Sequence, residues 1–181
     1  MLDREDAGLV EQSVAGDKKA FEALFEKYQK PMFNVALRMT KNFSDAEDIA
    51  QATFVKAYEN LASFDPRYKF FSWLYRIALN ESLNFVNQRK QVEEISEDIS
   101  SDEKSAEESF DEDHMSKTVQ DALMQLKADH RVVVVLKHLQ GLSYNEISEV
   151  LGIPEKRVKS RLFSARLVLK DVLVAKGLER E

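Results

Sequence analysis

Residues 91–113 read QVEEISEDISSDEKSAEESFDED, eleven acidic side chains against one lysine in 23 residues. Such a run has too little apolar surface to offset the entropy of ordering it, and its like charges repel, so it cannot form part of a core. It divides the 181-residue chain into segments of 90 and 68 residues, each able to build only a modest core. The organisation expected is a compact unit over 1–90, an acidic flexible linker over 91–113 and a second compact unit over 114–181. With only 5 Gly and 3 Pro in the whole chain, little turn chemistry is left for a many-stranded protein, and the fold class expected is all-α.

The same tract accounts for the net charge of −6, which at first argues against nucleic acid. It carries −10 by itself; residues 1–90 hold thirteen charges of each sign, and residues 114–181 carry +4. The basic excess is therefore C-terminal. The chain has no Cys, which excludes disulfides, thiolate zinc sites, iron–sulfur clusters and a catalytic thiol, and fits a reducing compartment. The start, MLDRED, has no basic region leading into an apolar one, and no stretch approaches the ~20 apolar residues of a membrane span. A cytoplasmic chain without membrane insertion is expected.

Helix signals recur on both sides of the tract. Gly16-Asp17 ends one helix and caps the next, which carries Ala20, Phe21, Leu24, Phe25 and Tyr28 at helical spacing until Pro31 bends or breaks it. Ser44-Asp45-Ala46-Glu47 has the form of a capping box, Asp65-Pro66 marks a turn, and Ser72 is placed to cap a helix running to about Lys90. Beyond the tract, Val119, Ala122, Leu123 and Leu126 mark a helix and Asp129 can cap another. The run Val132–Val135 has strand propensity, yet a lone strand among helices would leave its edges unpaired, so helix is expected there too. Ser143 and Glu146 form a second capping box, and Gly152-Ile153-Pro154 turns into a long basic helix: a helix-turn-helix.

Three groups of residues carry chemistry. On the helix from Glu155, Val158, Leu162, Ala165 and Leu169 share a core face, while Lys156, Arg157, Lys159, Ser160, Phe163 and Ser164 point away, flanked by Arg161 and Arg166. Donors on one exposed face of a helix suit the DNA major groove, where phosphates attract and base edges hydrogen-bond; a merely solvated basic face is the plainer alternative. The stretch FDPRYKFFSWLYR (64–76) holds six of the chain's 17 aromatics interleaved with Arg67, Lys69 and Arg76, a composition that suits unpaired bases, although about half of such rings are expected to fill a core. Asp45, Glu47, Asp48, Gln51, Phe54 and Tyr58 lie on one helix, where acids in the first turn are favoured by the helix dipole alone. His114, His130 and His138 form no metal-ligand pattern, and no phosphate loop, nucleophile elbow or catalytic pair is present, so no cofactor, metal, small-molecule substrate or enzymatic activity is expected.

Taken in order, DAEDIAQATFVKAYENL (45–61), F-x6-FSWLYRIALN (64–80) and GLSYNEISEVLGIPEKRVKSRLFSAR (141–166) resemble the extracytoplasmic-function (ECF, group IV) sigma factors of bacterial RNA polymerase, in the sigma-70 family. The resemblance implies a region 2 helical bundle over 1–90 and a region 4 helix-turn-helix over 114–181. It implies that Asp45, Asp48, Gln51, Phe54 and Tyr58 bind core polymerase. Arg67, Tyr68, Lys69, Phe70, Phe71, Ser72, Trp73, Arg76, Asn80, Asn84, Arg89 and Lys90 would meet the minus-10 element, opening it and holding an unstacked base. Ser143, Tyr144, Lys156, Arg157, Lys159, Ser160, Arg161, Ser164 and Arg166 would meet the minus-35 element. The linker would lie near the polymerase active centre, its charge resembling a nucleic-acid strand. The partners implied are core RNA polymerase, promoter DNA and an anti-sigma factor that covers the polymerase-binding surfaces. Arg157 stands where the family often has Thr, Phe163-Ser164 where His-Arg is frequent, and Asn84 where Asp is common; these departures bear on the promoter sequence rather than the class. Two other functions compete: an operator-binding helix-turn-helix regulator, which leaves the first two blocks without a task, and an adaptor that binds only proteins.

Overall fold

A computed structural model describes residues 4–95 and 114–175, with the side chains of residues 4, 90, 92–95 and 114–116 outside the description. Eight α-helices and no strand are found among the described residues. The first half holds α1 (Arg4–Val14), α2 (Lys18–Thr40), α3 (Phe43–Glu59) and α4 (Phe70–Ile95), with a 3-10 turn at Leu61–Ser63. The second holds α5 (His114–Met124), α6 (Ala128–Val134), α7 (Tyr144–Leu151) and α8 (Glu155–Ala175), with one π turn at Val135–Leu139 after α6. The first five residues of the acidic tract continue α4, and the rest of it, 96–113, lies outside the described residues.

The caps follow the sequence in some places and not in others. Asp17 caps α2, its side chain accepting from the Lys19 N–H at 2.9 Å. Pro31 does not break that helix, which runs on to Thr40. A missing N–H inside a helix is tolerated here because Leu24, Tyr28, Met32, Val35, Ala36 and Met39 bury a continuous face on both sides of it. The box expected at Ser44 is not used: Asn42 caps α3, accepting from the Asp45 N–H at 3.0 Å, and Ser44 sits exposed inside the first turn. Ser72 is no cap either, since α4 begins at Phe70 and the Ser72 hydroxyl is buried without a hydrogen-bond partner. Asp129 lies in the first turn of α6, whose cap position is Lys127.

Val132–Val135 form helix, as expected against their propensity. All four are buried, and a helix apolar on every side is stable where neighbours cover it completely. One apolar cluster runs through both halves, from Leu24, Met32, Val35, Leu74 and Leu79 to Leu123, Val133, Leu136, Ile147, Val158 and Leu162. Ala36, Ala46 and Ile49 form a smaller one with Phe33, Leu37 and Phe85. No described helix is long and apolar enough to cross a membrane.

Candidate nucleic-acid and protein-binding surfaces

The helix-turn-helix forms as its local chemistry dictates. Ser143 accepts from the Glu146 N–H at 3.2 Å, and Glu146 in return accepts from the Ser143 N–H at 2.9 Å, closing the capping box of α7. Gly152 ends α7 in the left-handed region (φ 63°), where a side chain would be strained, and α8 starts after Pro154. Val158, Leu162 and Ala165 are buried, Leu169 is half-buried, and Lys156, Arg157, Lys159, Ser160 and Arg166 are exposed. Ser164 and Arg161 are half-buried, and Arg161 reaches Asp129 of α6 at 3.0 Å. Phe163, 65 % exposed, stands on the same outward face. Tyr144 stacks beneath two ammonium groups, Lys137 at 4.8 Å and Lys159 at 5.3 Å from its ring centre. Arg166 donates to the imidazole Nε2 of His138 at 3.1 Å. Burial, together with Arg166 and Lys137, holds the His138 pKa below its ordinary value, so the ring stays a neutral acceptor.

On α3, Asp48, Gln51 and Tyr58 are exposed, Asp45 is half-buried and Phe54 is buried. Gln51, Phe54, Val55, Tyr58 and Glu59 join Phe21 and Phe25 of α2 around an open groove of about 360 Å³. Phe25 packs edge-on against Phe54 (4.7 Å) and Phe21 against Tyr58 (4.9 Å), leaving Phe25, Val55 and Tyr58 between 39 and 53 % exposed. Phe21 and Phe25 stand at helical spacing along α2; Phe21 is half-buried and packs against the core, whereas Phe25 is exposed on the rim of the groove.

The aromatic stretch is mostly committed to packing. Phe70 and Tyr75 are buried, Phe64, Phe71 and Trp73 are half-buried, and Tyr68 alone of the six is exposed. Phe64, Phe70 and Trp73 form a triangle with centroid separations of 5.5 to 5.8 Å. Asp65 closes the turn by accepting from the Arg67 backbone at 3.0 Å and from its guanidinium at 2.6 Å, and these bonds hold its carboxyl below the usual range. Asn80, Asn84 and Arg89 are exposed along α4, with Arg89 reaching Asp45 at 3.4 Å; the side chain of Lys90 lies outside the description.

Comparison with known proteins places this arrangement. Residues 24–92 match sigma-70 region 2, and residues 116–169 match sigma-70 region 4. The RNA polymerase sigma-H factor of Pseudomonas aeruginosa is 33% identical, covering 96% of this chain and 96% of its own. The ECF RNA polymerase sigma factor SigW of Bacillus subtilis is 34% identical over 91% and 94%. The chain belongs to the ECF sigma factors. Among solved structures, that of CnrH in complex with the cytosolic domain of CnrY has a TM-score of 0.72 and 28% identity, covering 94% of this chain and 98% of that one. The sigma factor RpoE of Bartonella quintana, solved with the anti-sigma factor NepR, has the same fold, with a TM-score of 0.71 over 90% and 99% at 24% identity.

In this sigma factor the two halves are in direct polar contact. The Lys69 ammonium donates to Glu146 at 2.9 Å, and Arg76 donates to the backbone carbonyls of Glu149 (2.5 Å) and Val150 (3.1 Å). The Tyr75 hydroxyl donates to Gln140 at 2.9 Å, and burial pushes its pKa up to about 12. Across the fold, Arg131 donates to the carbonyls of Met39 (2.5 Å), Leu123 (3.0 Å), Met124 (3.0 Å) and Leu126 (3.2 Å). Neither Arg131 nor Gln120, which joins the end of α2 through Arg38 at 2.9 Å, stood out in the sequence. A lone arginine on an apolar face was the one sign that could have marked the first.

Proposed function

We propose that this sigma factor divides polymerase binding and promoter recognition among three surfaces. The groove of α2 and α3, with Asp45, Asp48, Gln51, Phe54 and Tyr58, docks on core RNA polymerase. A buried acceptor surface on the polymerase would cover the apolar rims of Phe25, Val55 and Tyr58 that water now touches. The loop before α4 and the outward side of α4 meet the minus-10 element. Tyr68 is the ring free to stack on an unpaired base, Phe70, Phe71, Ser72 and Trp73 shape the support beneath it, and Arg67, Lys69, Arg76, Asn80, Asn84, Arg89 and Lys90 contribute polar contacts. The α7–α8 helix-turn-helix reads the minus-35 element. Arg157, Ser160, Arg161 and Ser164 face bases, Lys156, Lys159 and Arg166 face phosphates, and Ser143 and Tyr144 lie against the backbone at the start of α7.

The observation that carries this reading is the outward face of α8. Lys156, Arg157, Lys159 and Ser160 are exposed one turn after a glycine-terminated helix, while the opposite face is locked by Val158, Leu162 and Ala165. The units proposed are 1–90 for polymerase and minus-10 binding and 114–181 for minus-35 binding, with 91–113 as the acidic linker between them. The site of action is the cytoplasm, and the chain acts as a subunit that selects the start site rather than as an enzyme. An anti-sigma factor is the proposed regulator, supported by the fold shared with a sigma factor solved in such a complex.

Binding to purified core polymerase tests the first surface. Gln51→Ala with Tyr58→Ala removes two exposed side chains and is expected to weaken binding at least tenfold while lowering the melting temperature only by the loss of the Phe21–Tyr58 ring contact, about 1 kcal/mol. Wild-type affinity in that variant would place polymerase elsewhere on the molecule. Copurification from cells tests the regulator: an anti-sigma partner should appear with the wild-type chain, and a chain recovered alone and fully active contradicts it.

A further inference from the structure

Arg166, assigned above to a minus-35 phosphate, directs its Nε (3.3 Å) and Nη2 (3.1 Å) at Nε2 of His138, and both side chains are exposed. A guanidinium only donates, so Nε2 is the bare nitrogen of a neutral ring and the proton sits on Nδ1. A neutral imidazole, unlike a carboxylate, fixes the arginine without cancelling its charge. The ring comes from outside the helix-turn-helix, on the π turn Val135–Leu139. Along a continuing α-helix Leu139 would share the buried side of Val132, Val135 and Leu136; instead it is 43 % exposed, and His138 beside it faces outward.

Cations gather around this corner. Lys137 of the turn and Lys159 of α8 lie 4.8 and 5.3 Å from the centre of the same Tyr144 ring. Lys137 also donates to the Leu142 carbonyl at 3.0 Å, and Lys159 pairs with Glu155 at 2.5 Å. Lys159 and Arg166, seven residues apart, fall on one side of α8 with about 10 Å of rise between them. The turn packs against α2, α6 and α7. Arg38 of α2 is directed to Gln120, Arg131 of α6 to the carbonyls of α2 and α5, and Glu146 of α7 to Lys69 and the Ser143 N–H. The charges that act on the imidazole are Arg166 and Lys137, both positive.

We infer that His138 completes a phosphate site with Arg166, and that its ring takes up a proton from solvent when the DNA backbone enters that site. The inference rests on Arg166 lying at the minus-35 backbone. In the free chain a proton on Nε2 removes the acceptor that Arg166 uses and adds a third positive charge to the corner. Burial, Arg166 and Lys137 accordingly hold the ring below its ordinary 6.5. A phosphate between the two side chains accepts from the guanidinium through one oxygen and from a protonated Nε2 through another, which favours the charged ring. The bound pKa is then the higher one, so the complex holds more protons than its separated parts between the two values. Affinity rises as pH falls through that interval and is independent of pH above it.

The test is equilibrium binding of the polymerase holoenzyme to a promoter it initiates from, with wild-type chain and with His138→Gln. The glutamine keeps an oxygen for Arg166 but gains no proton, and the ratio of the two affinities at each pH cancels titration of the polymerase, His114 and His130. The ratio should lie near one at about pH 8 and grow at least threefold in favour of wild type by about pH 6. His138→Ala should bind more weakly than His138→Gln at the higher pH, because it also loses the acceptor that orients Arg166. Replacing one minus-35 phosphate at a time by an uncharged methylphosphonate should abolish the growth of the ratio at the linkage that enters the site. A ratio that stays flat or falls with acid, or that no single methylphosphonate changes, overturns the inference. Unchanged binding by Arg166→Ala at every pH would instead remove the phosphate assignment on which it rests.

Discussion

Arg131 ties the two halves together, because one guanidinium bonds carbonyls from the ends of both α2 and α5. Only 5 % of it is exposed, and burial pulls its pKa down from the ordinary value, yet it stays charged because four carbonyl dipoles replace its water. Arg131→Met keeps the volume and strands those acceptors, so a loss of about 3 kcal/mol is expected in denaturant unfolding; a loss below about 1 kcal/mol would mean that water satisfies them. Glu146 gives a pH signature. Burial pushes its carboxyl up, but hydrogen bonds from Lys69 and Ser143 outweigh this and bring it down to about 2, against an ordinary 4.5. Because the folded value is the lower one, the stabilisation is complete above about pH 4.5 and is lost as pH falls toward 2. The melting temperature should fall through that window, and Glu146→Gln should flatten the fall; an unchanged profile would show that Glu146 is not ion-paired in solution. The Ser143–Glu146 box was legible because both partners lie within one turn. The bond from Glu146 to Lys69 was not, since 77 residues separate them.

At the scale of elements, the helices were legible where periodicity was strong and the caps were not always so. Ser44 and Asn42 compete to begin α3, and both can accept an N–H; the two-residue choice depends on how the chain leaves α2 through Lys41, which adopts φ 59°. The aromatic stretch was expected to divide evenly between core and surface. It packs more deeply, because Phe64, Phe70 and Trp73 find one another as well as the core of α2, where Tyr28 lies 5.8 Å from Phe70. Of the bend or break expected at Pro31, the break does not occur: a buried face of seven residues holds the helix through it. The lost hydrogen bond remains a cost, so Pro31→Ala should stabilise the protein by about 1–3 kcal/mol in thermal or denaturant unfolding. A destabilised variant would indicate that the ring itself packs. Gly152→Ala places a side chain at φ 63° and should cost about 1 kcal/mol, weakening the helix-turn-helix locally.

For the whole molecule, the sequence contained both halves and their order but not their relation. Contacts such as Arg76 to α7 and Gln120 to α2 join residues more than 70 positions apart and leave no periodic trace along the chain. The charge division had a clearer consequence. An acidic total hides a basic face on α8, so binding to minus-35 DNA should weaken steeply with salt, and Lys156→Ala should reduce the slope of log K against log salt by about one phosphate contact. A slope that does not change would take Lys156 off the phosphate backbone. The central claim, that this chain confers promoter choice on a polymerase, is tested most directly by run-off transcription across a promoter library with purified core polymerase. Core plus wild-type protein should initiate at a distinct set of fragments sharing minus-35 and minus-10 elements, and Arg157→Ala, an exposed change that leaves the core untouched, should reduce or redirect that set. No gain in specific initiation over core alone, with the chain still binding DNA by itself, would contradict the account and leave an operator-binding regulator in its place.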